Sequence, residues 1–363
     1  MTRKDITFLA IVLVVVSGCV ILWQVLPIAP AELRPYILLR TLEWTGPEAF
    51  SQWDATLGGF FAIPSDPRFT TFDSWSWKDS TLVRNSVIEL PRGLDVTPLA
   101  EKKFAFTPTA VLPRDPSESK SIWPLVLSSF DSPKEYIKKW DTPKEWSVSK
   151  IGGSQNGKFA AICMKGPPDF RDTRIQIGLL NVATQELRWV YDYRGRGING
   201  LSGYPITVSD DGKSIAIMGW NHSIAMVNTE TEEMQEFKRP EGASVMQYGI
   251  FSPDGSILHV ADSGGGIFVL NAQTGEVISA TTKGKSIYGQ RVSCFAVSPD
   301  GAWLAAGTGP AGQVFLFDVK NPENKPIMLP HGEGTTLIVS FSPDSKYLAS
   351  VAGGLIKIWT VNP

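Results

Sequence analysis

Histidine and cysteine are both scarce, at 3 of each in 363 residues. Cys19, Cys163 and Cys294 are too scattered for a disulfide framework or a zinc site of paired thiolates. His222, His259 and His331 form no HxH or HxxxH pair, and no local motif sets a nucleophile and a carboxylate beside any of them. No metal site, no cofactor and no catalytic triad are therefore expected. An excess of one charge is also missing: 34 Lys and Arg stand against 36 Asp and Glu, a net charge of -2. Without a net positive field, nucleic acid is excluded as the main partner. Charged residues reach only 19% while hydrophobic ones make up 43%, the balance of a folded chain. The 33 glycines and 26 prolines exceed their usual share. Such frequent punctuation favours many short strands over long helices.

Long apolar runs are missing too, with one exception. After Arg3, Lys4 and Asp5, the stretch Ile6 to Leu26 carries no charge and is long enough to cross a hydrocarbon core as a helix. Residues 1–26 are read as a membrane anchor or uncleaved signal, with the rest of the chain on the non-cytoplasmic side of a membrane. The alternative is a lipoprotein anchored at Cys19, because Val16-Ser17-Gly18-Cys19 resembles the bacterial lipobox. Residues 27–35 follow as a linker with three prolines.

What the chain does have is repetition. Phe251-Ser252-Pro253-Asp254-Gly255, Val297-Ser298-Pro299-Asp300-Gly301 and Phe341-Ser342-Pro343-Asp344-Ser345 share one turn, and Val208-Ser209-Asp210-Asp211-Gly212 is a fourth copy. Pro fixes φ, Asp bonds nearby backbone and Gly accepts φ > 0, so this is a tight reversal between antiparallel strands. The turns end at 212, 255, 301 and 345, so one unit of four strands recurs every 43 to 46 residues. Ser154-Gln155-Asn156-Gly157 fits a fifth unit, Thr107-Pro108-Thr109 a sixth and Pro64-Ser65-Asp66-Pro67 a seventh. Asn181-x-x-Thr184, Asn228-x-x-Thr231 and Asn271-x-x-Thr274 mark the turn before each outer strand.

On these motifs the sequence resembles the WD-repeat β-propeller family, and it shares the Asn-x-x-Thr turns with quinoprotein-like propellers. The best copy runs from Thr336 through Trp359, preceded by His331. The resemblance implies an all-β, seven-bladed β-propeller of four-stranded blades over 36–363, preceded by one N-terminal transmembrane helix. Gly353-Gly354 replaces the family's hairpin Asp and Thr360 follows Trp359, so the His-Ser-Trp-Asp tetrad of the family is incomplete. The chain ends after a third strand, and Tyr36 to Trp44 is the expected donor of the missing outer one. Propellers of this kind display binding surfaces. The expectation is a non-enzymatic interaction scaffold for a protein or peptide partner associated with the membrane or envelope. The alternative is a propeller enzyme of hydrolase, lyase or quinoprotein type with its site at the central channel.

Gly195-Arg196-Gly197-Ile198-Asn199-Gly200 spells GxGxxG, but strand and turn residues follow where a dinucleotide site needs a helix. The most unusual local feature is the doublet Asp131-Ser132-Pro133-Lys134-Glu135-Tyr136 and Asp141-Thr142-Pro143-Lys144-Glu145-Trp146, inside an insertion at about 111–149. Ser or Thr, then Pro, then Glu reads as a helix start, so two short capped turns are expected. Tyr136, Trp140 and Trp146 with Lys138 and Lys139 are the candidate partner-binding residues, since aromatic anchors dominate protein interfaces.

Overall fold

Alternating apolar residues between Gly and Asx turns fold here into a succession of antiparallel sheets. The computed structural model describes residues 13–16, 19–22, 38–43, 60–64, 71–78, 81–89, 93–99, 103–108, 125–129, 132–143, 146–166, 173–195, 205–220, 223–280, 290–309, 312–332, 334–336 and 338–361. In chain order these hold β1 (Leu13–Val16), β2 (Cys19–Leu22), β3 (Leu38–Glu43), β4 (Phe60–Pro64), β5 (Thr71–Lys78) and β6 (Thr81–Glu89). Next come β7 (Gly93–Leu99), β8 (Lys103–Pro108), β9 (Leu125–Ser129), β10 (Ser132–Trp140), β11 (Ser147–Gly153), β12 (Phe159–Lys165), β13 (Thr173–Asn181) and β14 (Glu186–Gly195). The third group is β15 (Ile206–Val208), β16 (Ser214–Trp220), β17 (Ser223–Asn228), β18 (Met234–Phe237), β19 (Met246–Phe251), β20 (Ile257–Asp262), β21 (Ile267–Asn271) and β22 (Val277–Ala280). The last is β23 (Arg291–Val297), β24 (Trp303–Gly309), β25 (Gln313–Asp318), β26 (Ile327–Pro330), β27 (Ile338–Phe341), β28 (Tyr347–Ala352) and β29 (Leu355–Thr360).

Strands β4 to β6 make a three-stranded sheet; β7–β10, β11–β14, β15–β18, β19–β22 and β23–β26 each make a four-stranded meander. The final sheet has the order β27-β28-β29-β3. Its outer strand comes from the other end of the chain, with Leu355 opposite Glu43 and Trp359 opposite Leu38, as the unfinished last repeat requires. The first strands of successive sheets pack against each other. Thr97 Oγ1, for example, donates across from β7 to Ile151 O at 3.0 Å.

The core lies between sheets, and the strand period of two decides which side each residue serves. On β12, Ala160, Ile162 and Met164 enter a cluster with Leu99, Leu125 and Leu127 of the preceding sheet, while Ala161 and Cys163 enter one with Ile206, Ile215 and Ile217 of the next. On β16, Ile215 and Ile217 face back, and Ala216 and Met218 face forward to Leu258 and Val260. On β25, Phe315 and Phe317 face back and Val314 and Leu316 face forward. A sheet with two apolar faces cannot stand alone, so each repeat is stable only between its neighbours.

The turns are built as their chemistry predicts. Ser209 Oγ donates to Asp211 Oδ1 (2.6 Å), the same carboxylate accepts Lys213 N (3.0 Å), and Gly212 closes the turn at φ 75°. The arrangement recurs at Ser252 and Asp254, at Ser298 and Asp300, and at Ser342 and Asp344. In the fifth unit Asn156 takes the Asp place.

Three stretches differ from the sequence reading. Thr107 and Pro108 end β8 and are not the reversal of the sixth unit, because Leu99 pairs with Lys103 and the reversal falls between them. Pro64 ends β4 opposite Phe72, and 65–67 lie outside the described residues. Within the expected insertion, 125–129 and 132–140 are β9 and β10, and none of the described residues of either half of the doublet is helical. The first half pairs with β9 through a wide bulge, in which Ser128 Oγ donates to the carbonyls of Ser132 (3.4 Å) and Glu135 (3.0 Å). The second half makes only a turn, Trp146 N to Pro143 O at 3.0 Å. Of the N-terminal apolar run, the described residues form a hairpin, β1 on β2, where a helix was expected. Val14, Val15, Val16, Val20 and Ile21 are β-branched, which favours strand. Among the described residues no helix is long and apolar enough to cross a membrane.

Candidate protein-interaction surface

Exposed large apolar side chains gather on the outermost strands: Tyr136 (46% exposed) and Ile137 (37%) on β10, Trp189 on β14, Val277 and Ile278 on β22, and Met328 on β26. Of these strands β10 is exposed along most of its length. A bulge between Tyr136 and Lys138 breaks the strand period: Tyr136 lies opposite Ser128 and Lys139 opposite Val126 on one side of the sheet, while Lys138 lies opposite Leu127 and Trp140 opposite Leu125 on the other. Lys138 Nζ sits 5.4 Å from the Trp140 ring centroid and donates to Gln185 O of the next sheet at 2.8 Å. Tyr136 meets Phe106 edge to face at 6.0 Å, which fixes its ring while nearly half of it remains in solvent. Lys139 pairs with Asp141 at 3.2 Å.

Trp140 and Trp146 are half-buried and pack on the cluster around Leu99, Val148 and Ile162. Trp146 also covers Gly166, where an added Cβ would meet its ring at 3.1 Å. The structure therefore divides the candidates: Lys138 and Trp140 come together on one side of β10, Tyr136 and Lys139 are presented on the other, and Trp146 wedges between sheets.

In the turns between the first and second strands of the sheets, hydroxyls, amides and carboxylates bond to one another. Ser154, Ser209, Ser298 and Ser342 are buried within their own turns. Asn156 N and Nδ2 donate to Asp210 Oδ1 (2.8 Å) and Asp210 O (2.9 Å), and Asp300 N donates to Ser345 Oγ (3.1 Å), linking neighbouring turns. Gln155 Nε2 donates to Val297 O three sheets away, so the side chain reaches across the centre. Burial pushes the Asp210 carboxyl upward against the bonds it accepts from Asn156 and Gln155. The Ser252 hydroxyl, with the Ser256 amide and hydroxyl, holds Asp254 below the ordinary carboxylate range. Among the described residues no group of His, Cys, Asp and Glu is placed to hold a metal ion.

A groove of about 1050 Å³ opens between the turn ends of the β15–β18 and β19–β22 sheets, with Asp211, Glu230, Glu232, Glu233 and Asp254 on its walls. Most of that charge is spent locally. Glu230 pairs with Lys213 at 3.2 Å, Glu232 with Arg188 at 3.5 Å, and the two aspartates hold turns.

The histidines occupy buried or undescribed positions. His331 Nε2 lies 2.9 Å from Ser350 O, and Trp359 Nε1 donates to Ser350 Oγ at 2.9 Å, so three members of the tetrad assemble without the aspartate. His259 is buried with neither ring nitrogen bonded, and desolvation drops its pKa to about 4. His222 lies outside the described residues. Gly195 ends β14 and the next described element is a strand, not a helix. One polar residue escaped the sequence reading. Asp318 replaces Asn in the turn before β26, accepting Lys320 N (3.0 Å) and Asn321 N (3.1 Å), and the Asx-x-x pattern signals it. Asp262, in the Gly-rich hairpin between β20 and β21, accepts Ser244 N and Gly266 N, both at 2.6 Å.

Comparison with known families matches residues 281–318 and 328–360 to the WD domain, G-beta repeat. The first stretch spans β23 to β25 and the second takes in β27 to β29. A comparison with curated proteins gives no match. The chain thus carries WD repeats in a repeated, propeller-like all-β architecture, and WD repeats suggest a protein-interaction scaffold.

Proposed function

We propose that the chain is a membrane-anchored scaffold with no chemistry of its own, a seven-bladed propeller on the non-cytoplasmic side that binds a protein or peptide partner. The observation that carries the scaffold reading is where the polar side chains of the repeats go. Ser, Asp and Asn of each turn bond within that turn or to the next one. An active site at the centre would need acids, bases or cations converging with free valences. Seven blades are supported by six four-stranded sheets, one three-stranded sheet before them, and the completion of the last sheet by β3.

The anchor rests on the uncharged run Ile6 to Leu26. An isolated two-stranded hairpin is marginal in water, and in lipid its edge N–H and C=O groups would have no partner. A helix is the form in which this run satisfies its own backbone inside a bilayer. Arg3 and Lys4 keep the N-terminus on the cytoplasmic side.

The partner, itself associated with the membrane or envelope, docks on β10 at the side that presents Tyr136 and Lys139. Capture by the tagged full chain from detergent-solubilised membranes tests this against a Tyr136→Ser, Lys139→Glu double variant. The variant should keep the wild-type unfolding midpoint and lose the co-purifying protein. Equal recovery would rule out β10 as the docking strand, and a wild-type chain that retains no protein would count against a scaffold.

A further inference from the structure

We propose that the disc meets its bilayer with the face that carries the Ser-x-Asp-Gly and Asn-x-x-Thr turns, leaving the opposite face and the rim that carries β10 clear of lipid; this rests on the anchor reading above. The direction of β3 carries the inference. Leu38, its first residue, lies opposite Trp359, and Tyr347, just past the Ser342–Ser345 turn, lies opposite Thr360. The chain coming from the apolar run therefore enters the last sheet at the end that holds that turn. The turns of the other sheets lie at the same end. Asp300 N bonds to Ser345 Oγ, Asn156 bonds to Asp210, and an added Cβ on Gly301 or Gly255 would touch Pro253 or Ser209 of the preceding turn at 3.7 and 3.6 Å.

The reach of the linker limits the alternatives. Residues 27 to 37 span at most about 34 Å at 3.1 Å per residue, and Pro27, Pro30 and Pro35 stiffen them. To present the other face, this segment would have to run back along the six residues of β3, roughly 20 Å, and still turn toward the lipid. Lipid charge does not set the approach. The described charges on the turn face include the pairs Lys213–Glu230, Arg188–Glu232 and Lys346–Asp344, with no polybasic patch.

The experiment places one cysteine at a time on the full chain in a Cys19→Ser background. Cys163 and Cys294 are buried, and burial pushes the Cys163 thiol up to about 12, so neither competes for label. Gln273→Cys and Lys346→Cys put an environment-insensitive fluorophore on the turn face; Asp141→Cys and Glu241→Cys put it on the opposite face, all at exposed positions. The protein is reconstituted into vesicles containing a lipid with a nitroxide quencher on its headgroup. Quenching should be several-fold stronger for the first two labels than for the second two, in zwitterionic and anionic vesicles alike. Equal or reversed quenching in protein that floats with the vesicles overturns the orientation alone, as does a contrast confined to anionic vesicles. Protein that fails to float overturns the anchor reading and this inference with it.

Discussion

His259 and Gly152 show how individual residues are held by the packing between sheets. His259 is buried with both nitrogens unbonded and a pKa of about 4, against 6.5 for the free side chain. The unfolded chain therefore binds the extra proton between those values, so stability rises with pH across that window and is fully present above about pH 6.5. Below pH 4 the loss amounts to about 3 kcal/mol. His259→Leu should flatten the pH dependence of the unfolding midpoint between 4 and 6.5, and an unchanged slope would show that other groups set it. At Gly152 an added Cβ would collide with the carbonyl of Ile206, a backbone atom of the next inner strand that no rotamer change can clear. Gly152→Ala should cost about 3 kcal/mol. Gly255→Ala meets nothing nearer than 3.6 Å and should cost only the φ penalty of its turn, about 1 kcal/mol. Urea titration of both variants checks the order, and a reversal would remove Gly152 from the contact between sheets.

At the scale of elements, the outcome for each stretch depends on whether its determinants are local. The Ser-x-Asp-Gly and Asn-x-x-Thr turns were legible because every bond that closes them lies within a few residues. Strand β10 was not, because Ser132-Pro133 with Glu135 is a helix start by local rules, and the Ser128 hydroxyl that captures the Ser132 and Glu135 carbonyls belongs to another strand. The candidate surface divides in the same way. An aromatic cluster was visible in the sequence, but the exposure of Tyr136 and the half-burial of Trp140 and Trp146 depend on Phe106 and on the Leu99 cluster. Strand β3 was legible by counting, since the last repeat lacked its outer member. Deleting residues 31–45 should bare the edge of β29 and leave an unpaired apolar strand as a template for association. Light scattering of the purified variant should show aggregation at concentrations where the wild type stays clear. A clear, monodisperse variant would mean that β3 is dispensable.

The whole molecule is governed by the rule that each sheet buries both faces. Ala160 and Ala161, or Leu316 and Phe317, are neighbours in sequence yet belong to different inter-sheet clusters. Cohesion therefore passes from sheet to sheet along the chain and does not depend on the path by which β3 arrives. Height above the bilayer does depend on that path. Only residues 27 to 37 separate the apolar run from β3, so partner binding at a fixed height and partner binding by a freely reaching disc make different predictions. Inserting a flexible Gly-Ser segment of about twenty residues after Pro30 adds a coil whose ends lie roughly 25 Å apart on average and which transmits no orientation. The unfolding midpoint should not move, because the insertion point lies outside the described strands that build the sheets. Recovery of the partner from solubilised membranes should stay high, since detergent removes the constraint of height. Crosslinking of the same pair in intact membranes should fall several-fold, and crosslinking that survives the insertion would show that the short linker has no part in recognition.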